Sequence, residues 1–175
     1  MPADVFDTLF DDYRALRDGP LSQDPSGLNA MEQTYPKVLL LASASYLEVA
    51  TTEVIAGLFH REDAPELGIF VERRSLKRQF HSLFDWENRK SNQFFSYFGD
   101  DCKARFLERM KLDTNFSAAV EAFLEIGALR NKLVHQNYAQ FQLDKTAEEI
   151  KVLHRMASTF PQEIPSLILV SGASK

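Results

Sequence analysis

The sequence contains a single cysteine, Cys102, and no cluster of cysteine and histidine residues accompanies it. One cysteine cannot form an internal disulfide, and a structural zinc site needs about four sulfur or nitrogen ligands. The cysteine content therefore favours a reducing compartment, with the cytoplasm as the expected location, and predicts no metal site. Glycine-rich phosphate loops, serine-hydrolase elbows and paired metal-binding carboxylates are also missing, so we expect no cofactor.

Long apolar runs and an apolar leader are missing as well. Residues 1–12 are acidic, and no apolar run approaches the ~20 residues that span a bilayer. We therefore expect a soluble protein without a membrane partner. At 175 residues, 45% hydrophobic and 26% charged, the chain is long enough for one domain, residues 1–175, with a substantial core.

An excess of positive charge is absent. The net charge of −5 argues against a surface that grips nucleic acid indiscriminately, because such surfaces are basic. Residues 71–111 nevertheless carry ten basic against six acidic side chains. Four of the basic residues have the spacing of one helix face and are a candidate RNA-binding surface: Arg73, Arg74, Lys77 and Arg78. A solvated helix face is the alternative.

Hydrophobic periodicity predicts an all-α fold, a bundle of about five to six helices. The helices are expected at about residues 3–17, 35–60, 65–81, 89–109, 114–130 and 147–158. Asp113-Thr114 should cap the fifth of them, and Thr146 with Glu149 should form a capping box at the start of the last. Residues 19–35 should form a connecting loop, with Thr34 as the cap of the second helix and Pro36 in its first turn. Pro161 and Pro165 are expected to prevent a further helix, so that residues 160–175 form a short extended C-terminal tail.

The candidate catalytic residues are Arg130, Asn131 and His135, at the end of the fifth predicted helix. Arginine matches the geometry of a phosphate, and histidine exchanges a proton near neutral pH, so the pair could cleave a phosphodiester without a metal. Chance gives about 0.75 Arg-to-His pairs at such spacings in this composition, and about 0.03 when asparagine must follow the arginine. Arg74 and His81 have a similar spacing without that asparagine, and we take them as a chance match.

One geometric constraint opposes the catalytic interpretation of this motif, and both residues also have an alternative role. Residues five apart lie about 140° around an ideal helix, so Arg130 and His135 share a face only if the helix ends between them. The alternative makes Arg130 a solvated side chain and His135 a cation at a helix C-terminus.

The Arg130-Asn131 and His135 motif, which ends an apolar helix before a second helix rich in glutamate, resembles the HEPN superfamily of small helical ribonucleases. Tyr46-Leu47-Glu48 in an early helix agrees with this resemblance, and the aromatic stretch 92–99 is similar to the RiboL-PSP group of HEPN domains. The resemblance implies a helical bundle, usually a homodimer, that cuts RNA without a metal and leaves a 2′,3′-cyclic phosphate. It also implies a toxin or phage-defence role, with an antitoxin or defence-system partner.

Two further residues are candidates for supporting roles. Glu48 lies in an apolar helix, where a carboxylate is costly unless paired, and it could orient Arg130; an exposed edge position is the alternative. HEPN toxins paired with a nucleotidyltransferase carry a tyrosine two residues after the motif histidine, whereas Tyr138 follows His135 by three. A packed or interface tyrosine is the alternative for Tyr138.

An aromatic cluster in residues 80–98 could stack RNA bases, but a core or dimer interface fits its helical spacing better. The sequence thus predicts a metal-independent endoribonuclease that acts on RNA as a homodimer. The alternative is a catalytically inactive HEPN-like module that binds a protein partner or RNA.

Overall fold

A computed structural model describes residues 5–136 and 138–169, except for the side chains of residues 74, 75, 77 and 78. Within them the fold is all-α, which confirms the predicted class. A π-helical segment, Val71–Leu76, lies between residues 70 and 77, each of which belongs to an α-helix. The helices are α1 (Val5–Asp18), α2 (Pro25–Leu58), α3 (Pro65–Phe70), α4 (Lys77–Leu83), α5 (Asn92–Ser96), α6 (Asp100–Leu112), α7 (Thr114–His135), α8 (Ala147–Ala157) and α9 (Phe160–Ile168).

Helix α2 is the centre of the bundle and contacts α1, α7, α8 and α9. It begins at Pro25, where the Asp24 carboxylate accepts backbone hydrogen bonds from Ser26 and Gly27. The predicted connecting loop is therefore confirmed over residues 19–24 and wrong over residues 25–35, and Thr34 lies inside the helix rather than capping it. Pro36 lies inside the helix and is buried. A proline there costs roughly 3 kcal/mol, and the packing of α2 against four other helices outweighs that local cost.

Helix α2 is also long and apolar enough to cross a membrane, with a mean hydropathy of 1.5 over its most apolar window. The sequence pattern did not predict such a segment. The core helix of a soluble protein meets the same criterion, and 39% of this window is buried inside the bundle. The apolar composition of α2 therefore fits a core helix as well as it fits a membrane-spanning helix.

The fourth predicted helix, residues 89–109, is wrong as one element. Its first residues belong to a turn in which Asp85 and Lys90 exchange two backbone hydrogen bonds of 3.0 and 2.9 Å and Arg89 has a φ of 53°. Gly99 then separates α5 from α6, because its φ of 98° is a conformation that glycine adopts without strain. These breaks, together with α9, give the described chain more and shorter helices than the five or six predicted.

The predicted extended tail is also wrong, since residues 160–168 form α9. Pro161 occupies the first turn, where a helix tolerates proline, and Phe160, Ile164 and Leu167 are buried. Arg105 of α6 donates hydrogen bonds of 3.2 and 2.9 Å to the carbonyl of Leu167. One of the last backbone carbonyls of α9, which has no partner within the helix, is thereby hydrogen-bonded. Residues 170–175 lie outside the described residues.

Aromatic side chains make up much of the core. Phe95 stacks on Phe106 with ring centroids 4.3 Å apart, and Phe123 contacts Phe160 edge to face at 4.9 Å. Phe80, Phe84, Phe94 and Phe95 are likewise buried inside one chain, Phe98 is partly buried, and Tyr97 is exposed. The core interpretation of the aromatic cluster is therefore confirmed, and these side chains do not supply an exposed dimer surface.

Candidate active site at the end of helix α7

Helix α7 places Arg130 and Asn131 in its last turns. Asp113 caps the helix by accepting a 2.9 Å hydrogen bond from the Phe116 backbone, as the sequence predicts. The Arg130 guanidinium donates a 3.1 Å hydrogen bond from Nη1 to Oδ1 of Asn131. Asparagine therefore orients the arginine, and both side chains are only partly exposed.

Arg130 and Asn131 line a narrow cavity of about 20 Å³, room for roughly one water molecule, between α7, α2 and α4. Glu48 of α2 and His81 of α4 lie on its other walls. His81 Nε2 is 3.9 Å from Glu48 Oε2, which is an ion-pair distance when the imidazole is protonated. The cavity thus combines a guanidinium, an amide, a carboxylate and an imidazole from three helices.

Trp86 forms the floor of this cavity and connects its walls. The indole ring packs against Gly127 of α7, and a Cβ at that position would overlap ring atoms of Trp86. Trp86 Nε1 donates a 2.8 Å hydrogen bond to the His81 carbonyl. Because Gly127 precedes Arg130 by three residues and Asn131 by four, all three lie on one helix face. Trp86 therefore holds His81 against the face that carries Arg130.

His135 does not open onto the Arg130 cavity. It is the last residue of α7, is exposed, and lines a second depression of about 330 Å³. Asn131 and Trp86 line both depressions. The helix continues unbroken to His135, so the angular separation of about 140° remains and the two motif side chains diverge within one chain.

The His135 depression has basic walls. Arg89, from the turn before α5, and Lys132 of α7 line it together with one carboxylate, that of Glu87. Two permanently charged cations beside a histidine form a surface that attracts a phosphate backbone. The sequence motif did not single out Arg89 or Lys132.

The two candidates for supporting roles have different surroundings. Glu48 lines the Arg130 cavity, and its ion pair is with His81, so that its role in orienting Arg130 stays a prediction. Tyr138 instead contacts α2: Lys37 Nζ donates a 3.1 Å hydrogen bond to the Tyr138 carbonyl and lies 5.1 Å from its ring centroid. The Tyr138 ring is 44% exposed and is absent from the described linings of both depressions.

The candidate RNA-binding run begins in the π-helical segment, which contains Arg73 and Arg74, and continues into α4 with Lys77 and Arg78. Arg73 is exposed, and the other three side chains lie outside the described ones. That the four side chains share one helix face stays a prediction, because only that of Arg73 is among the described side chains.

Sequence reasoning missed three residues of the Arg130 cavity. His81 was taken as part of a chance match, although it lies beside Glu48 in the same cavity as Arg130. Gly127 carried a usable signal, because an isolated glycine inside a helical pattern often marks close packing. Trp86 carried none, since nothing local connects it to α7. Within residues 5–136 and 138–169, no group of three or more histidine, cysteine, aspartate or glutamate side chains has the arrangement of a metal site.

An all-α bundle in which a long core helix ends in Arg-Asn and a histidine is consistent with a HEPN-type helical bundle. Residues 7–169 match the family model described as RiboL-PSP-HEPN, and the chain therefore belongs to the RiboL-PSP-HEPN family. The match covers nearly the whole chain. No curated protein and no solved structure matches the sequence.

Proposed function

We propose that this protein is a metal-independent endoribonuclease in which Arg130, Asn131 and His135 carry the reaction. The observation that supports this most is the Arg130 cavity, where a guanidinium held by Asn131 meets two further ionisable side chains in a small concave site. Membership of a HEPN-type family agrees with an RNA substrate. A toxin or phage-defence role, with an antitoxin or another defence-system component as partner, is part of the same proposal.

The proposed reaction uses the hydroxyl next to the scissile phosphate. His135 accepts the proton of the 2′-hydroxyl while the 2′-oxygen forms a bond to phosphorus. The bond from phosphorus to the 5′-oxygen breaks, and that oxygen takes up a proton. Arg130 stabilises the negative charge that develops on the phosphorane. The products are a 2′,3′-cyclic phosphate and a free 5′-hydroxyl.

Because Arg130 and His135 of one chain line different depressions, the proposed reaction needs two copies of the chain. In a symmetric homodimer, Arg130 of one copy can face His135 of the other, because a twofold axis places the same surface on both sides of the interface. The exposed apolar side chains of α3 offer such an interface: Leu67, Ile69 and Phe70 are each about half exposed. We propose that the functional site is shared between the two copies.

The second candidate function is that of a catalytically inactive module that binds a protein partner or RNA. The separation of Arg130 from His135 into different depressions favours it, because a single chain does not assemble both groups on one phosphate. An apolar α3 surface serves partner binding as well as dimer formation, so it does not distinguish the two candidates.

Incubation of the purified protein with labelled RNA in the presence of EDTA tests the proposal. We expect cleavage that resists the chelator, cyclic-phosphate and 5′-hydroxyl ends, and no cleavage of DNA or of RNA methylated on the 2′-oxygen. Products with 5′-phosphates, or activity that EDTA removes and magnesium restores, would contradict this mechanism. Binding of RNA without any cleavage would favour the inactive module.

A further inference from the structure

The depression that holds His135 lies between helix α7 and the turn of residues 85–90. One wall is a single face of α7, because the residues that form it follow one another at intervals of three and four: Ala128, Asn131, Lys132 and His135. The turn supplies Trp86, Glu87 and Arg89 on the other wall. A volume of about 330 Å³ falls within the range of ligand-binding sites, so the depression has room for about one nucleotide.

The turn that carries Arg89 is fixed relative to α7. Its ends exchange two backbone hydrogen bonds, and the Asp85 carboxylate accepts a further one of 3.1 Å from the Asn88 backbone. Trp86, within the turn, packs directly on Gly127 of α7. Arg89 has a φ of 53°, a conformation that is unfavourable for a residue other than glycine and that often occurs at functional sites. The turn therefore holds the Arg89 backbone in a set place opposite α7.

The charges of this depression favour an anion. Arg89 and Lys132 are exposed, and within residues 5–136 and 138–169 neither makes an ion pair or a side-chain hydrogen bond. Glu87 contributes the one carboxylate of the described lining, which leaves an excess of positive charge that protonation of His135 increases. Because the whole chain carries a net charge of −5, such a local excess directs a polyanion to this place.

We propose that Arg89 and Lys132 bind the phosphate on the 5′ side of the nucleotide that His135 deprotonates. This inference rests on the proposed ribonuclease function and concerns residues that hold the substrate. The ribose at His135 is linked to two phosphates: the scissile one on its 3′-oxygen, which the proposed reaction places at Arg130 of the other copy, and one on its 5′-oxygen. The second phosphate is the nearest anion that remains for the two cations of the depression.

The two side chains suit one phosphate between them. Lys132 precedes His135 by three residues on the same helix face, which puts their Cβ atoms about 5–6 Å apart, so its ammonium can reach the nucleotide whose hydroxyl His135 contacts. Arg89 approaches from the facing wall, and a guanidinium can donate two parallel hydrogen bonds to phosphate oxygens. The phosphate is therefore held from both sides of the depression.

The position of these contacts also indicates the form of the substrate. Contacts to phosphates carry no base information, so cleavage should show little base preference at this nucleotide. A nucleotide in a duplex is stacked and paired, whereas one in a single strand can leave its neighbours and enter a concave site. We therefore expect single-stranded RNA to be bound, through its backbone.

Binding is tested with a fluorescent single-stranded RNA whose 2′-oxygens are all methylated, since it cannot be cleaved. Arg89→Gly, which suits the φ of 53°, and Lys132→Ala should each weaken binding by about 5- to 10-fold. Each should also make the slope of log K against log salt shallower by about 0.7, the effect of one lost contact to a single strand. Fluorescence anisotropy measures both quantities, and circular dichroism checks that the variants are folded.

Lys111→Ala is the matched control for these variants. It removes an exposed lysine from the last turn of α6, near the start of α7 and roughly 27 Å along that helix from Lys132. Its affinity and its salt slope should equal those of the wild type. Wild-type binding by both Arg89→Gly and Lys132→Ala, or an equal loss in the control, would overturn the inference.

A substrate with one neutral linkage tests which phosphate is bound. The RNA carries a single 2′-hydroxyl, which defines the cleaved bond, and a methylphosphonate replaces the linkage on the 5′ side of that nucleotide. In the wild type this replacement should lower kcat/KM by about 5- to 10-fold, mainly through KM. In the double variant Arg89→Gly/Lys132→Ala it should cost little, because the contact is already absent. A methylphosphonate at the linkage after the cleaved one should cost the same in both proteins.

Equal costs of the 5′-side replacement in the wild type and the double variant would overturn the assignment of this phosphate. If the wild type cleaves no RNA while both variants bind it more weakly with shallower slopes, the ribonuclease proposal and the 5′-side assignment fail, and phosphate binding by Arg89 and Lys132 is supported. If the wild type cleaves RNA and both variants bind and cleave it equally well, the ribonuclease proposal stands and this inference is overturned.

Discussion

The indole ring of Trp86 lies directly against the backbone of Gly127, which has no side chain to come between them. This contact joins the segment that carries His81 to the helix that carries Arg130 and Asn131. Trp86 is also the only tryptophan of the chain, so tryptophan fluorescence reports on the surroundings of this one side chain.

Gly127→Ala should lower the free energy of unfolding by about 1–3 kcal/mol, the usual cost of overpacking a core. Alanine is favoured over glycine within a helix by only ~1 kcal/mol, so the steric overlap with Trp86 dominates. Denaturant unfolding measures the change, and a shift of the tryptophan emission maximum in the native protein would locate it. Gly57→Ala is the matched control, because nothing lies within 4 Å of a Cβ at that position. Equal stability of the two variants would contradict the packing argument.

Arg130→Ala and His135→Ala should each lower RNA cleavage by about 10²- to 10⁴-fold. If the active site is shared between two copies, mixing the two variants should restore about a quarter of the wild-type rate, since half of the dimers are mixed and each contains one intact site. The rates of the separate and the mixed proteins measure this directly.

The doubly substituted chain, with Arg130→Ala and His135→Ala together, is the control for that mixture. Combined with either single variant it creates no intact site, so the rate should stay at the level of the variants alone. Absence of recovery in the first mixture, in proteins shown to exchange subunits, would contradict a site that is shared between two copies.

Tyr13 should make the protein less stable at high pH. Burial, and the 2.7 Å hydrogen bond that Tyr13 donates to Glu32, raise the pKa of this phenol from 10.0 to about 12. Below pH 10 both states keep the proton, whereas between pH 10 and 12 only the unfolded chain loses it, so the free energy of unfolding falls through this range. Tyr13→Phe should show a smaller fall, because phenylalanine does not titrate. Urea unfolding at several pH values gives both slopes, and parallel slopes would refute the prediction.

Cys102 should react slowly with thiol reagents in the folded protein. Burial raises the pKa of this thiol, and Arg105 opposes the shift only in part. The side chain is 2% exposed and its Sγ lies 3.5 Å from the Leu167 carbonyl, so a reagent needs α9 to open. An opening that costs about 3 kcal/mol would slow the reaction by about 10²-fold relative to the denatured chain. The absorbance of the thiolate released from a chromogenic disulfide reagent measures both rates. Comparable rates would show that α9 does not cover Cys102.

Sequence patterns predicted the features that depend on neighbouring residues. The caps at Asp113 and Thr146 are confirmed, because a side-chain oxygen and a backbone N–H two or three residues away need no other part of the chain. Longer elements were predicted less well. The start of α2 and the presence of α9 differ from expectation, since burial of Leu39 or Ile164 against other helices outweighs the local effect of a proline.

The sequence by itself determined the all-α class, the Arg130-Asn131 motif at the end of a long helix and the family to which the chain belongs. Only the tertiary structure decided which histidine shares a cavity with Arg130. The five-residue interval turns His135 away around α7, whereas the packing of Trp86 on Gly127 brings His81 to Glu48 and Arg130. Contacts between residues so far apart in the chain depend on how the helices pack, and no local spacing records them.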